Sequence, residues 1–225
     1  QEEGTAEILD THNEEQVKIV DPQIIALYQN STEEQIKSAI VFQKYTRRWL
    51  AIRRYKRMIK RKKCALEILS TEQSYVYDIQ LVSEIFLEPL KRLANTPRPI
   101  ITRDQISHIF SDLEVILQVN RTFLHDLEGV LDRYTNYTII SSIILSISPF
   151  FKTYSRYCNN YAKSQSTLAE AKKDSDIRPI LLSMEKDKRL SKGALSSYLI
   201  LPIQRIPRYR LLLQELIKQT EKDHP

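Results

Sequence analysis

Residues Leu195 to Thr220 read LSSYLILPIQRIPRYRLLLQELIKQT. Leu195, Tyr198, Leu199, Pro202, Tyr209, Leu212, Leu213 and Leu216 recur at helical spacing, so they form one buried stripe. Two prolines, Pro202 and Pro207, stand inside that pattern. Proline costs about 3 kcal/mol in a helix interior and usually kinks it, so the stretch reads as a kinked core helix. A second row, Ile200, Gln204 and Arg208, follows at four-residue steps and points elsewhere. It is a mixed apolar and polar surface carried on a rigid element.

The rest of the 225-residue chain is consistent with a helical protein. Its 42% hydrophobic and 28% charged residues are enough to bury a core in one domain with an extension. Only three glycines occur, Gly4, Gly129 and Gly193. That argues against sandwiches, barrels and phosphate-cradling loops, and no GxGxxG or Walker-type sequence is present. Cys64 and Cys158 lie far apart with no CxxC, and His12, His108, His125 and His224 have no ligand spacing. These residues read as reduced thiols and structural histidines in a cytoplasmic setting, with no metal and no cofactor. No nucleophile–base pairing appears either, so no catalytic residue is assigned. The longest uncharged run, Tyr134 to Phe151, is too polar to span a bilayer and fits a buried helix.

Charge is unevenly placed. Between Gln35 and Leu66 there are twelve Lys or Arg and no Asp or Glu; removing those twelve charges from the net +6 leaves the rest of the chain at −6. One basic block attached to an acidic protein is a local partner-binding signal.

Residues 1–20 read as an acidic, loose tail. Asp21-Pro22 predicts an N-cap and first helical position for a short helix over Gln23 to Tyr28, ended by Asn30. Ser31 with Glu34 three residues on reads as a capping box. From Thr32 to Glu88 there is neither glycine nor proline. This predicts either one helix of about 80 Å or two with a break near Lys60 to Cys64. Asn95 to Pro99 is a loop, and Thr102 with Gln105 is a second capping box. It opens an amphipathic helix over about 101–132. Tyr137 to Tyr161 reads as a central helix, apolar on most sides and bent at Pro149, and Ile180 to Lys188 as a short helix.

In the segment Ala65 to Leu93, Ile68, Tyr75, Ile79, Val82 and Phe86 share one helical face. Glu72 falls within about 40° of that stripe's centre at 100° per residue. By pattern, it is either a solvated edge charge or a carboxylate held for a partner.

Three stretches carry a resemblance. SYLILPIQRIPRYRLLLQEL, Ser197 to Leu216, resembles the third conserved region of the Dbl-homology domain, the exchange-factor domain for Rho-family GTPases. The segment around Leu69 to Val76 is similar to its first region, L-x-T-E-x-x-Y-V, and ISHIFSDLEVILQVNRTFLHDLE to its second conserved helix. The resemblance implies an all-α, elongated helical bundle with a long N-terminal helical extension. It also implies that Glu72 holds switch I of the GTPase, with Ile200, Leu201, Gln204 and Arg208 on the contact surface. The family usually carries lysine where Arg208 and Leu201 stand. If the chain, extended through the family's last helix, exchanges nucleotide, Glu72→Ala and Arg208→Ala are expected to slow it sharply and leave thermal stability nearly unchanged. A further helix follows in the family and is expected to be absent from this chain.

VFQKYTRRWLAIRRYKR, Val41 to Arg57, resembles an IQ motif, the helix gripped by calmodulin and related EF-hand light chains. Phe42 takes the aliphatic anchor position, Gln43 the glutamine and Arg47 the first basic position. Arg48 replaces the usual glycine, and Ile52 holds the second basic position with Arg53 one residue late. Phe42, Tyr45, Trp49 and Ile52 make an apolar stripe that arginines flank, suited to an acidic, Met-lined lobe. A basic helix of this kind also suits an anionic membrane surface or its own domain. Aromatic stacking interleaved with base-reading groups is missing, so nucleic acid is not expected as a partner. An IQ motif before a Dbl-homology domain is similar to the arrangement in the Ras-GRF exchange factors. The expected organisation is an acidic tail and short helix over 1–30, the basic IQ-like helix over 31–63 and the exchange domain over 64–225.

Overall fold

The computed structural model describes residues 21–222 and 224. The acidic tail expected over 1–20 lies outside them. The chain divides into two units, residues 1–54 and 55–225. All regular elements among the described residues are helical.

The first unit holds α1, Pro22–Gln29, and the start of α2, Glu33–Val82. Asp21 caps α1 as its sequence predicts: its Oδ1 accepts the Gln23 amide at 2.8 Å. Asn30 donates its side-chain amide to the Ala26 carbonyl and closes the helix. The capping box that opens α2 sits one residue later than expected. The Thr32 amide donates to Gln35 Oε1 at 2.8 Å, and the Gln35 amide to Thr32 Oγ1 at 3.3 Å. Ser31 instead donates its hydroxyl to the Leu27 carbonyl. A glutamine at the third position serves as well as glutamate, because both offer an acceptor oxygen.

Of the two alternatives for the glycine-free stretch, the structure has one helix. α2 runs unbroken for 50 residues. It then passes through a π-helical turn, Ser83–Leu87, into α3, Glu88–Ala94. Pro89 explains that turn. Its ring has no N–H and crowds the carbonyl one turn back, and widening the turn relieves the clash. The Glu88 amide accordingly donates to the Ser83 carbonyl, five residues back.

The expected helix over 101–132 is two helices, α4, Arg103–Phe110, and α5, Leu113–Asp132. The Thr102–Gln105 capping box that opens α4 is present in full. The break falls at Ser111, whose φ is 46° and ψ −131°. The expected helix over Tyr137 to Tyr161 is also divided. α6 spans Ser141–Ile147, a 3-10 turn follows at Ser148–Phe150 around Pro149, and α7 spans Phe151–Ala171. Only one side of α6 is covered: Ile143 and Ile147 are buried, and Leu145 is exposed. α8, Arg178–Met184, α9, Ser196–Leu199, and α10, Leu201–Gln219, complete the unit.

The kink expected in the deciding stretch is a break at Ile200. Pro202 sits at the first turn of α10, where its missing N–H costs nothing, and Pro207 lies inside the helix. The apolar stripe packs as read: Leu195, Tyr198, Leu199, Pro202, Tyr209, Leu212 and Leu216 are buried and Leu213 half-buried.

The core of the second unit has two apolar clusters. One joins α2 from Tyr75 onward to α3, α4, the start of α5, α7, α8 and α9. The other joins Ala65 and Ile68 of α2 to Phe123, Leu127 and Leu131 of α5, Ile143 and Ile147 of α6, and Tyr209, Leu212 and Leu216 of α10. Arg61 ties the latter group together from α2. Its guanidinium donates to Tyr134 Oη at 2.9 Å, the Thr138 carbonyl at 2.7 Å and Thr220 Oγ1 at 3.3 Å.

Candidate functional site

A polar layer lies between the two apolar clusters, and α2, α5, α7 and α10 all supply side chains to it. On α2, Glu72 falls between Ile68 of one cluster and Tyr75 of the other. On α5, Asn120 falls between Leu117 and Phe123. On α10, Arg205 falls one turn before Tyr209.

Glu72 is 0% exposed and Arg205 3%. The Arg205 Nη2 group and the Tyr209 hydroxyl, the latter at 2.7 Å, both donate to Glu72 Oε2. The Tyr209 oxygen also lies 3.0 Å from Asn120 Oδ1. A phenol has one proton to give, and the closer, charged acceptor takes it. Asn120 donates its amide to the Ile116 carbonyl at 2.7 Å and to Tyr154 Oη at 2.6 Å, and the Tyr75 hydroxyl stands 3.3 Å from that of Tyr154. Arg205 is further enclosed by two rings, its Cζ 4.3 Å from the Tyr209 centroid and 5.3 Å from that of Tyr75.

Burial pushes the Glu72 carboxyl up from its ordinary value, and the Arg205 charge and the Tyr209 and Arg205 hydrogen bonds pull it back. Burial works against the Arg205 charge, yet Glu72 and Tyr209 hold its pKa above the ordinary arginine value. Two donors converging on one oxygen is the geometry of an ionised carboxylate. Glu72 Oε1 and Arg205 Nε make no hydrogen bond among the described residues. The layer is thus only partly satisfied, which makes it costly to disturb from one side.

This corrects the solvated-edge reading of Glu72. Its position near the stripe's centre places it in the interior, where a carboxylate persists only with a partner. Against the expectation that its removal spares stability, a buried pair argues that the change lowers it. Arg205 and Asn120 were not assigned a role from the sequence, and Tyr209 was read only as part of the buried stripe. A signal for Arg205 was nonetheless there. It fills the gap between Pro202 and Tyr209 in one apolar stripe, as Glu72 sits inside another, and two opposite charges in two buried stripes call for each other.

Gln204 and Arg208 are exposed on the face of α10 adjoining the pair, and Ile200 and Leu201 are half-buried at its start. Leu201 packs against the larger apolar cluster. The structure therefore sets Ile200, Gln204 and Arg208 along one face, as their spacing predicts, and places Glu72 inside rather than among them.

A helical unit with these three sequence blocks on α2, α4–α5 and α9–α10 decides the family. Residues 64–225 match the RhoGEF domain. This chain belongs to that family. Among its relatives, the guanine exchange factor for Rac 30 of Dictyostelium discoideum is 36% identical over 172 residues, 75% of this chain and 10% of that protein. The human Ras-specific guanine nucleotide-releasing factor 1 is 26% identical over 208 residues, 87% of this chain and 16% of that protein. A solved structure of the Vav1 exchange factor superposes with a TM-score of 0.65 at 26% identity, covering 74% of this chain and 43% of that one. The chain thus spans only about a tenth to a sixth of these curated relatives.

The IQ-like residues of this RhoGEF-family chain lie on α2, in the first unit. Phe42 is 72% exposed and Trp49 58%, and Tyr45 and Ile52 are also exposed. Gln43, Arg47 and Arg53 are exposed beside them, with Arg53 Cζ 5.3 Å from the Trp49 ring centroid. Among the described residues, no cluster of His, Cys, Asp or Glu could hold a metal ion, and no helix is long and apolar enough to cross a membrane.

Proposed function

We propose that this chain accelerates GDP release from a Rho-family small GTPase by binding its nucleotide-free form. No covalent chemistry is involved. A protein that binds the empty GTPase more tightly than the loaded one weakens nucleotide binding by the same factor. The observation that carries this reading is the RhoGEF match over 64–225 together with the exposed Gln204–Arg208 face braced from inside by Glu72 and Arg205. Gln204 and Arg208 supply polar contacts to the GTPase, and Ile200 and Leu201 the apolar edge. Glu72 serves this surface by fixing α10 against α2. Its carboxylate reaches switch I only where Arg205 releases it. The named relative acts on Rac, which makes Rac the first GTPase to test.

On the same reading, α2 before residue 64 binds a regulatory partner. Its exposed apolar stripe, Phe42, Tyr45, Trp49 and Ile52, flanked by Gln43, Arg47 and Arg53, fits a calmodulin-type EF-hand lobe. The match to the human Ras-specific factor covers 87% of the chain, which reaches beyond residues 64–225 and supports the Ras-GRF-like arrangement. The same cations suit an anionic membrane surface, and calmodulin competes for them.

Release of a fluorescent GDP analogue from Rac, Cdc42 and Rho by the purified protein tests the exchange reading. Acceleration on at least one supports it. Flat traces on all three, with the protein folded by circular dichroism, favour instead an interaction module that docks partners without exchange.

A further inference from the structure

The turn that feeds α9 and α10 is pinned to the rest of the unit by charge. Lys192 Nζ meets Asp78 Oδ2 of α2 at 3.0 Å, and that carboxylate is almost wholly buried. Arg189 Nη1 meets Glu84 Oε2 of the π turn at 3.1 Å, and its other nitrogens hold Asp187 at 2.9 and 3.1 Å. The Lys192 amide donates to the hydroxyl of buried Tyr198 at 3.0 Å, and the Leu195 amide to Glu185 Oε1 at 3.0 Å. Leu190 packs on the larger apolar cluster. Gly193, at φ 81°, lets the chain reverse there.

Ser191 sits between those two pinning cations and is exposed. Lys188 and Arg189 stand three and two positions before it, and Lys192 follows. Two cations just upstream of an exposed serine are what the acidic substrate groove of a basophilic protein kinase binds. Ser175 also has two upstream lysines, Lys172 and Lys173, but Asp174 and Asp176 flank it and repel such a groove. We infer that Ser191 is a phosphorylation site whose phosphate unpins the turn before α9. In the transfer, Ser191 Oγ forms a bond to the γ-phosphorus of ATP, the bond from that phosphorus to the β–γ bridging oxygen breaks, the hydroxyl proton passes to the kinase base and ADP leaves.

The phosphate carries nearly two negative charges and three strong acceptor oxygens. Lys192, its neighbour, and Arg189, two residues before it, are the pinning cations nearest to it in sequence. Charge-assisted bonds to phosphate compete with the single contacts they make to Asp78 and Glu84. Losing Lys192 leaves the buried Asp78 carboxylate unpaired, so the turn separates from α2 rather than keeping both partners. Ile200 lies at the end of α9, so the exchange surface loosens with it. That last consequence rests on the exchange reading; the site itself does not.

The test is phosphorylation of the protein by the catalytic subunit of cyclic-AMP-dependent protein kinase with ATP. Fragment mass spectrometry locates the phosphate, and hydrogen–deuterium exchange follows the turn. Expected are phosphate on Ser191, its loss in Ser191→Ala, and amide exchange over 187–199 faster by about tenfold with α4 and α5 unchanged. No phosphate on Ser191, or phosphate there with unchanged exchange over 187–199, overturns the inference. Both readouts are independent of GTPase activity, so a failure here is distinct from a failure of the exchange reading.

Discussion

Glu72 and Arg205, 133 residues apart in sequence, meet in a buried ion pair that joins α2 to α10 between two apolar clusters. Removing one partner strands the other charge in the interior. Such losses cost about 3–5 kcal/mol, whereas replacing both by apolar groups of similar volume is often nearly neutral. Glu72→Ala therefore lowers stability by about that amount in urea unfolding, and Glu72→Leu with Arg205→Met costs much less than the two single changes summed. Additive losses in that double-mutant cycle would show that the two residues do not act as a pair.

At Ser111 the backbone departs from sequence preference. Its φ of 46° with ψ of −131° is a region that side chains with a Cβ rarely adopt. Holding it costs on the order of 1–3 kcal/mol, part of which glycine recovers. Ser111→Gly is expected to stabilise the protein by about 1 kcal/mol, read from its urea midpoint at unchanged slope. A loss of stability would show that the serine side chain supports the α4–α5 junction.

The buried tyrosines set an alkaline limit. Burial pushes the Tyr154 hydroxyl from 10.0 up to about 12, and it raises Tyr75 and Tyr209 well above their ordinary value. These groups hold their protons more tightly folded than unfolded. The contribution of Tyr154 to stability is complete below pH 10 and is lost as pH rises toward about 12, and those of Tyr75 and Tyr209 begin to be lost over the same rise. Melting temperatures measured across that window should fall steeply, and less steeply in Tyr154→Phe. A melting temperature flat through that window contradicts the burial of this layer.

Trp49 is the single tryptophan of the chain and is exposed on the apolar stripe of α2. Its emission therefore reports directly on whatever covers that face. Adding calmodulin, with and without calcium, is expected to shift the emission to shorter wavelength, and Phe42→Ala to weaken the titration at least about tenfold. Unchanged emission with both forms of calmodulin, together with a shift on anionic vesicles, assigns the face to membrane instead.

Much of the fold was legible because helices declare themselves by period. The stripe from Leu195 to Leu216, the caps at Asp21 and Thr102 and the glycine-free run into Glu88 needed only local chemistry. The breaks were less visible. Nothing in the residues around Ser111 announces a positive φ, and the π turn depends on how the carbonyl before Pro89 is crowded. Of the site, the shared face of Ile200, Gln204 and Arg208 followed from spacing. The place of Glu72 near its stripe's centre pointed inward, but its partner did not follow, because one helix's periodicity cannot show that a cation from another helix arrives to pair with it. Asn120 illustrates the same limit: it stood among apolar residues in the α5 pattern, and only the approach of Tyr154 and Tyr209 explains it.

The most direct test compares Arg208→Ala and Glu72→Ala with the parent protein in GDP release from Rac, with thermal melts run in parallel. Arg208 is exposed, so its loss should leave the melt within about 0.5 kcal/mol of the parent and slow release at least about tenfold. Glu72→Ala should slow release and lower the melt together. Parent-like release by Arg208→Ala on a GTPase that the parent protein accelerates would contradict the assignment of the α10 face as the exchange surface.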